Sequence, residues 1–307
     1  MQQIAYLFSG QGSQYVGMGK DLYETFAESK AVFDQADKAL GFSLSQLCFA
    51  GPLEELTRTN NCQPAILTMS IAAWEAFKAV TSRKPQAASY AAGLSLGEYS
   101  AQVASGALAF TDAVHLVRRR GEFMEEAAIK FPGRMASILG LDLAAVRKIC
   151  QESKAEIANI NCPGQIVISG GVAEIEKAAV LAQAAAAKRV ILLETSGAFH
   201  SSLMKEASLK LAEEIEKVSI SAPKIPVVAN VSARPVTTVA EIKESLIKQV
   251  YSQVLWEDSM KFMLSQGVRD FIEFGPGKVL KGLMRRIDEN GRVVNIEKKE
   301  DILQGAG

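Results

Sequence analysis

The stretch Ala92-Gly93-Leu94-Ser95-Leu96-Gly97-Glu98-Tyr99-Ser100 constrains the chain more than any other. One serine stands with a glycine two residues away on each side. Small residues precede it and a helix-like run follows. Gly-x-Ser-x-Gly is the pattern of a strand-to-helix turn so sharp that a side chain at 93 or 97 would collide with neighbouring backbone. Such a turn pushes the serine oxygen into the open. It also sets it near the amino end of the following helix, whose free N–H groups can stabilise an oxyanion. Five residues with two glycines also occur as a plain tight turn, so the rest of the chain has to distinguish the two.

The surrounding chain supplies a strand and helix setting. Residues 4–10 are a short apolar run ended by glycine, the signature of a buried strand. Residues 20–40 and 63–80 have helical spacing, the second with Pro64 near its start. Residues 87–93 are alanine-rich, which favours helix, but their place before the turn favours strand, and strand is adopted. Residues 98–106 read as a helix closed by Gly106. Thr111 then reads as the cap of a helix over 111–128, with Asp112 in its first turn.

From about 130 to 197 the texture changes. Strands are expected at 133–141, 155–161, 164–171 and 188–195, with helices at 142–153 and 172–187; Cys162-Pro163 joins the middle strands. The order β-α-β-β-α-β is the ferredoxin-like pattern. It interrupts a larger alternating α/β region, which resumes with a helix at 201–218, an apolar stretch at 225–232, a run ending in Gly275-Pro276-Gly277, and a helix at 278–287. The expected organisation is a large α/β domain from 1–129 and 198–307 with a small domain, 130–197, inserted.

Composition excludes several classes. Of 307 residues, 48% are hydrophobic and 22% charged, enough for a sizeable core. Formal net charge is zero, which argues against nucleic acid as a general partner. Cys48, Cys62, Cys150 and Cys162 are scattered without a CxxC pair, so neither zinc nor a disulfide framework is indicated. Free thiols in a reducing compartment are expected. The N-terminus does not read as a signal peptide, and no run approaches the ~20 apolar residues of a membrane span. The expectation is a soluble cytoplasmic protein with no membrane partner.

A serine nucleophile needs a base, and the chain has two histidines. His115 lies inside the 111–128 helix beside Arg118 and Arg119, on what reads as a solvated face. His200 sits in Ser196-Gly197-Ala198-Phe199-His200, a loop of mostly small residues between a strand and a helix, where α/β folds build sites. His200 is therefore assigned as the base, against the alternative of a capping or buried structural histidine. On the 111–128 helix, Ala113, Leu116, Val117, Phe123, Met124 and Ala127 form an apolar stripe with Arg120 in its middle. Arg118 and Arg119 fall outside it, where Glu122 and Glu126 can pair with them. An inward arginine keeps its charge and needs an anion. That anion is either a structural carboxylate or a carboxylate on the substrate, held by the planar fork. Gly10-Gln11-Gly12 is no dinucleotide fingerprint, since Tyr15 stands where a third glycine is needed. It is a plain turn or a loop whose N–H groups face a charge.

Together the motifs FSGQGSQYVGMG, GLSLGEYS, RRRGEFM, NCPGQIVISG, GAFHSSLM and EFGPGKVLKGL resemble, in that order and over roughly the whole chain, the malonyl-CoA:acyl-carrier-protein transacylases of fatty-acid synthesis. Polyketide synthase acyltransferase domains share the pattern. The resemblance implies an α/β-hydrolase-like large domain with a ferredoxin-like insert. It implies that Ser95 is acylated, that His200 is its base and that Arg120 pairs with the malonyl carboxylate. The N–H groups of Gln11 and Leu96 would form the oxyanion hole. Phe199 and Met124 would line the pocket, Phe199-His200 resembling the pairing of members that prefer malonyl. In the family a backbone carbonyl orients the histidine, and the resemblance puts it at Leu255. Two positions depart from the common pattern: Leu94 stands where many members have histidine, and Leu255 where many have a polar residue.

The implied partners are malonyl-CoA and acyl carrier protein, with no metal or redox cofactor and a monomer as the expected assembly. Lys278, Lys281, Arg285 and Arg286 would offer a docking surface for an acidic carrier protein, or are simply a solvated face. Two other functions fit the serine turn: a hydrolase of small acyl esters, and a catalytically silent carrier-protein-binding module.

Overall fold

The computed structural model describes residues 3–81 and 88–305. Among these, ten strands fall into two sheets. In chain order they are β1 (Ile4–Phe8), β2 (Tyr90–Gly93), β3 (Gly133–Leu139), β4 (Glu156–Cys162), β5 (Gln165–Gly171), β6 (Arg189–Leu192), β7 (Val227–Ala229), β8 (Arg234–Val236), β9 (Asp270–Phe274) and β10 (Arg292–Ile296). The larger sheet runs β10-β9-β1-β2-β7-β8, parallel except for the antiparallel edge strand β8.

β1 is central, and its unbroken apolar run is what a strand covered on both faces needs. Tyr6 and Phe8 point to one core, with Ile66, Met69, Tyr99, Leu116 and Phe274. Ala5 and Leu7 point to the other, with Trp256, Met260, Leu280 and Met284. The helices Thr59–Thr81 and Phe110–Lys130 pack on the first side. Phe8 is level with Gly93 in the register of β1 and β2, so the loop after β1 and the turn after β2 leave the sheet side by side. Crevices beyond the carboxyl ends of parallel strands are where α/β sheets place ligands.

The smaller sheet runs β4-β5-β3-β6, wholly antiparallel. The helices Leu143–Ser153 and Val172–Ala184 share its core, where Val146, Ile149, Ile175 and Ala178 meet Ile138, Ile160 and Ile168. This is the ferredoxin-like arrangement expected from the element order. Asp142 accepts the Ala145 N–H and caps the first of these helices. The edge strand β4 is tied to the rest of the chain by Ile160 N–H to Val254 O at 2.9 Å and Val254 N–H to Ala158 O at 2.8 Å.

Several elements differ from expectation. The helix expected over 20–40 is two, Lys20–Thr25 and Ala27–Leu40, divided at Phe26, whose backbone is extended. The helix around Pro64 begins earlier, at Thr59. Proline cannot donate to the Asn60 carbonyl, and Arg118 Nη1 donates to it instead at 3.2 Å. Thr111 makes no cap, because the helix begins at Phe110. Glu122 takes both Arg118 and Arg119, while Glu126 pairs with Lys210. The strand expected over 87–93 forms at Tyr90–Gly93; Ala87 lies outside the described residues. β8 and β10 were not anticipated. All four cysteines are buried and free. Among the described residues no helix is long and apolar enough to cross a membrane, and no three metal-binding side chains cluster.

Candidate active site

The turn after β2 is as tight as its glycines demand. A Cβ on Gly93 would lie 2.0 Å from the carbonyl carbon and oxygen of Gly97, and one on Gly97 would lie 2.2 Å from Phe8 O. Between them Ser95 sits at φ +50, in the left-handed region that non-glycine residues rarely enter. Neighbouring elements hold it there. Its N–H donates to Asn230 Oδ1 at 2.7 Å, and its carbonyl accepts from Gln249 Nε2 at 3.0 Å. Asn230 follows β7 and is anchored in turn by donating Nδ2–H to Gly93 O at 2.8 Å.

The loop after β1 presses on this turn. A Cβ on Gly10 would lie 2.5 Å from Leu94 O. Among the described residues, neither the Gln11 N–H nor the Leu96 N–H has an acceptor within the chain. Both predicted oxyanion donors are therefore uncommitted, one on each side of the turn. Leu94, in place of histidine, packs with the Trp256 and Met260 core.

His200 Nε2 lies 2.8 Å from Ser95 Oγ. Its other nitrogen, Nδ1, lies 2.8 Å from the backbone carbonyl of Gln249. A carbonyl only accepts, so Nδ1 carries the hydrogen and the Nε2 lone pair of the neutral ring faces the serine. Burial, with the nearby Arg120 charge, lowers the His200 pKa to about 4, and the bond to Gln249 O opposes that shift. The ring is thus neutral, the form a base needs. His115 is exposed on its helix.

The orienting carbonyl is a correction to the sequence reading, for it belongs to Gln249 and not to Leu255. Leu255 precedes the helix Trp256–Ser265, and its carbonyl is consumed by the N–H and Oγ of Ser259 at 2.9 and 2.8 Å. Gln249 ends the helix Val239–Gln249, where the last carbonyls lack helical donors and are free for another partner.

Arg120 is 1% exposed. Nη1 donates to Gln63 Oε1 at 2.8 Å; Nη2 donates to Gln249 Oε1 at 3.1 Å and to Ser95 Oγ at 3.2 Å. Every acceptor is neutral. Among the described residues no carboxylate comes within 4.0 Å, so the structural-carboxylate alternative has no direct partner; the buried Glu98 acts on Arg120 at longer range, through the Gln249 amide. Burial pushes the Arg120 pKa down, yet a guanidinium does not give up its proton in a protein. Its Nε makes no hydrogen bond. The face of Tyr99, 5.7 Å away, gives partial compensation. Met124 is buried and accepts from Gln63 Nε2 at 3.5 Å, steadying the amide that meets Arg120. Phe199 is 5% exposed in the main core beside His200. A cavity of about 680 Å³ borders the site at Gln11, its walls including Thr59, Glu125, Ile129 and Ser196.

The structure thus brings Ser95, His200 and Arg120 together, with Gln11, Leu96, Phe199 and Met124 around them. The sequence reading missed Gln63, Asn230 and Gln249. Gln249 had a usable signal: with Ile242, Ser245 and Leu246 it lies on one buried helical stripe, an inward polar residue of the kind that identified Arg120.

Residues 5–294 match the family model described as the acyl transferase domain. The chain is 49% identical over 307 residues to the malonyl CoA-acyl carrier protein transacylase of Bacillus subtilis (strain 168), covering 98% of this chain and 96% of that protein. A solved transacylase of the same description from Coxiella burnetii superposes with TM-score 0.96 at 36% identity, covering 99% of this chain and 97% of that one. A structure described as a type II PKS acyl-carrier protein in complex with its malonyl-transacylase matches with TM-score 0.95 at 36% identity, covering 99% of both chains.

Proposed function

The chain belongs to the acyl transferase domain family, and on that premise we propose that it moves a malonyl group from malonyl-CoA to the phosphopantetheine thiol of acyl carrier protein through malonyl-Ser95. The observation that carries this reading is the buried Arg120 guanidinium, which touches no carboxylate among the described residues, with Glu98 reached only through the Gln249 amide, and which donates to the oxygen of Ser95. A general esterase has no need of such a cation beside its nucleophile. A malonyl group brings a carboxylate that can make the direct contact Glu98 does not.

His200 draws the proton from Ser95 Oγ through Nε2 as the oxygen attacks the thioester carbon. The tetrahedral oxyanion rests on the N–H groups of Gln11 and Leu96. The Gln249 carbonyl supports the imidazolium that forms, in the place where a triad would put an acid. CoA leaves as its thiol, taking the proton from His200. The malonyl carboxylate then occupies Arg120, and the carrier thiol enters and reverses the steps. Each step is a proton or acyl transfer, so the scheme calls for no metal or redox group.

Intact-protein mass spectrometry after mixing with malonyl-CoA tests the proposal. The expected result is one malonyl adduct, absent in Ser95→Ala and discharged by holo carrier protein faster than by water. Discharge to water alone would identify a hydrolase, and no adduct would identify a silent binding module.

A further inference from the structure

Glu98 is fully buried, three residues after Ser95, and no step of the proposed transfer uses it. Its Oε2 accepts the Asn230 N–H at 3.0 Å and Gln249 Nε2–H at 2.7 Å, and Ser245 Oγ reaches Oε1 at 3.5 Å. Among the described residues it has no Lys, Arg or His within 4.0 Å. A carboxylate held in the interior without an ion pair is costly. Lying in the first turn of the helix Gly97–Ala104 offsets only part of that cost.

Its partners account for the position. The two ends of the Gln249 amide have opposite tasks. Nε2 faces acceptors: Glu98 Oε2, Ser95 O and Asn230 Oδ1, the last at 3.4 Å. Oε1 faces the donor Arg120 Nη2. A flipped amide would set NH2 against the guanidinium and oxygen against the carboxylate. The same carboxylate oxygen holds the backbone of Asn230, whose side chain fixes the Ser95 N–H. The amide of Gln249 therefore links a buried anion to a buried cation that do not touch, and its backbone carbonyl sits on His200.

We propose that Glu98 is a positioning residue: by fixing the Gln249 amide and the Asn230 backbone it sets Arg120, His200 and Ser95 in register. The inference rests on the transfer reading above, and it concerns alignment, not contact with substrate. Burial pushes the Glu98 carboxyl up to about 7, with its hydrogen bonds to Asn230 and Gln249 and the Arg120 charge opposing.

The test is Glu98→Met, which keeps much of the length but removes both accepting oxygens; glutamine would not serve, because its carbonyl oxygen can stand where Oε2 accepts from Asn230 and Gln249. Malonyl-Ser95 formation is expected to slow by about 10–100-fold, with the malonyl-to-acetyl rate ratio falling because Arg120 loses its fixed partner. In a Gln249→Ala background the same change should cost much less, since the amide it orients is gone. Wild-type rates in Glu98→Met, or equal losses in both backgrounds with an unchanged ratio, overturn the proposal. A crystal structure of Glu98→Met supplies a readout that does not depend on turnover. Displacement of Arg120 from Gln249 Oε1 supports the inference. An unmoved Gln249, Arg120 and His200 sinks it, even if the unaltered protein takes no malonyl and the transfer reading fails separately. Should Glu98→Met not fold, Glu98→Asp, which withdraws the oxygen by one methylene, carries the same expectations.

Discussion

Arg120 Nη2 lies 3.2 Å from Ser95 Oγ, so the buried guanidinium and the hydroxyl share one small space. The arginine acts there as a donor to whatever anion enters, and until one does it is spread over neutral oxygens. Arg120→Ala should therefore reduce acylation by malonyl-CoA more than by acetyl-CoA. A hydrogen bond to a charged group is worth roughly 1.5–3 kcal/mol, so selectivity should drop by about 10–100-fold. Single-turnover acylation with the two donors measures it, and equal losses would make Arg120 structural.

The carbonyl on His200 comes from Gln249, and this separates two substitutions. Leu255→Gln should leave acylation within about twofold, since the Leu255 carbonyl caps a helix and its side chain packs on the small-sheet core. Gln249→Ala keeps the backbone carbonyl but removes the amide between Glu98 and Arg120. It should cost at least tenfold, about 1.4 kcal/mol. Rates that fall for Leu255→Gln and not for Gln249→Ala would reverse the assignment.

The residues that could be read from sequence are those whose chemistry is unusual for their local pattern. Ser95 stands between obligatory glycines, Arg120 interrupts an apolar stripe, and only two histidines compete. The small sheet was legible because its alternation of strands and helices is regular. Gln63 and Asn230 were not, because each is a neutral polar residue on a separate element and only the tertiary fold makes them neighbours; Gln249 is marked by its place on a buried helical stripe, but what it faces is set by the tertiary fold. Leu255 was misplaced for a related reason. A backbone carbonyl leaves no mark in the side-chain sequence, and which carbonyl is free depends on where a helix ends. The break at Phe26 escaped notice because no glycine or proline marks it.

His200 makes stability depend on pH with a definite sign. Its pKa falls from 6.5 to about 4 on folding, so between those values the unfolded chain holds the proton and the folded chain does not. Its contribution is full above 6.5 and is lost as pH falls toward 4. Glu98 and Glu273, both raised by burial to about 7, run the other way, gaining stability as pH falls below 7. Comparison with His200→Gln removes them, because both chains carry them. The stability of the unaltered protein relative to the variant should drop by about 2–3 kcal/mol between about pH 7 and pH 4.5. Urea denaturation at the two pH values measures this, and a constant difference would mean an imidazole with its ordinary pKa.

The two glycines of the turn should tolerate nothing, while another glycine should welcome a methyl group. A Cβ on Gly93 would meet the Gly97 backbone at 2.0 Å, and one on Gly97 would meet the Phe8 carbonyl at 2.2 Å and Ser9 O at 2.9 Å. Neither neighbour can withdraw, for Phe8 is locked in register with both Gly93 and Phe274. Gly93→Ala and Gly97→Ala should each cost more than about 3 kcal/mol or leave no soluble folded protein. Gly282 lies inside the helix Val279–Ile287 with nothing within 4 Å of its would-be Cβ. There Ala should stabilise by about 0.5–1 kcal/mol, because glycine is the more flexible residue in the unfolded chain. Melting curves of the three variants decide the matter: a Gly93→Ala protein that melts with the parent would mean that the turn is looser than its sequence requires, and that Ser95 is not held at its left-handed position by sterics.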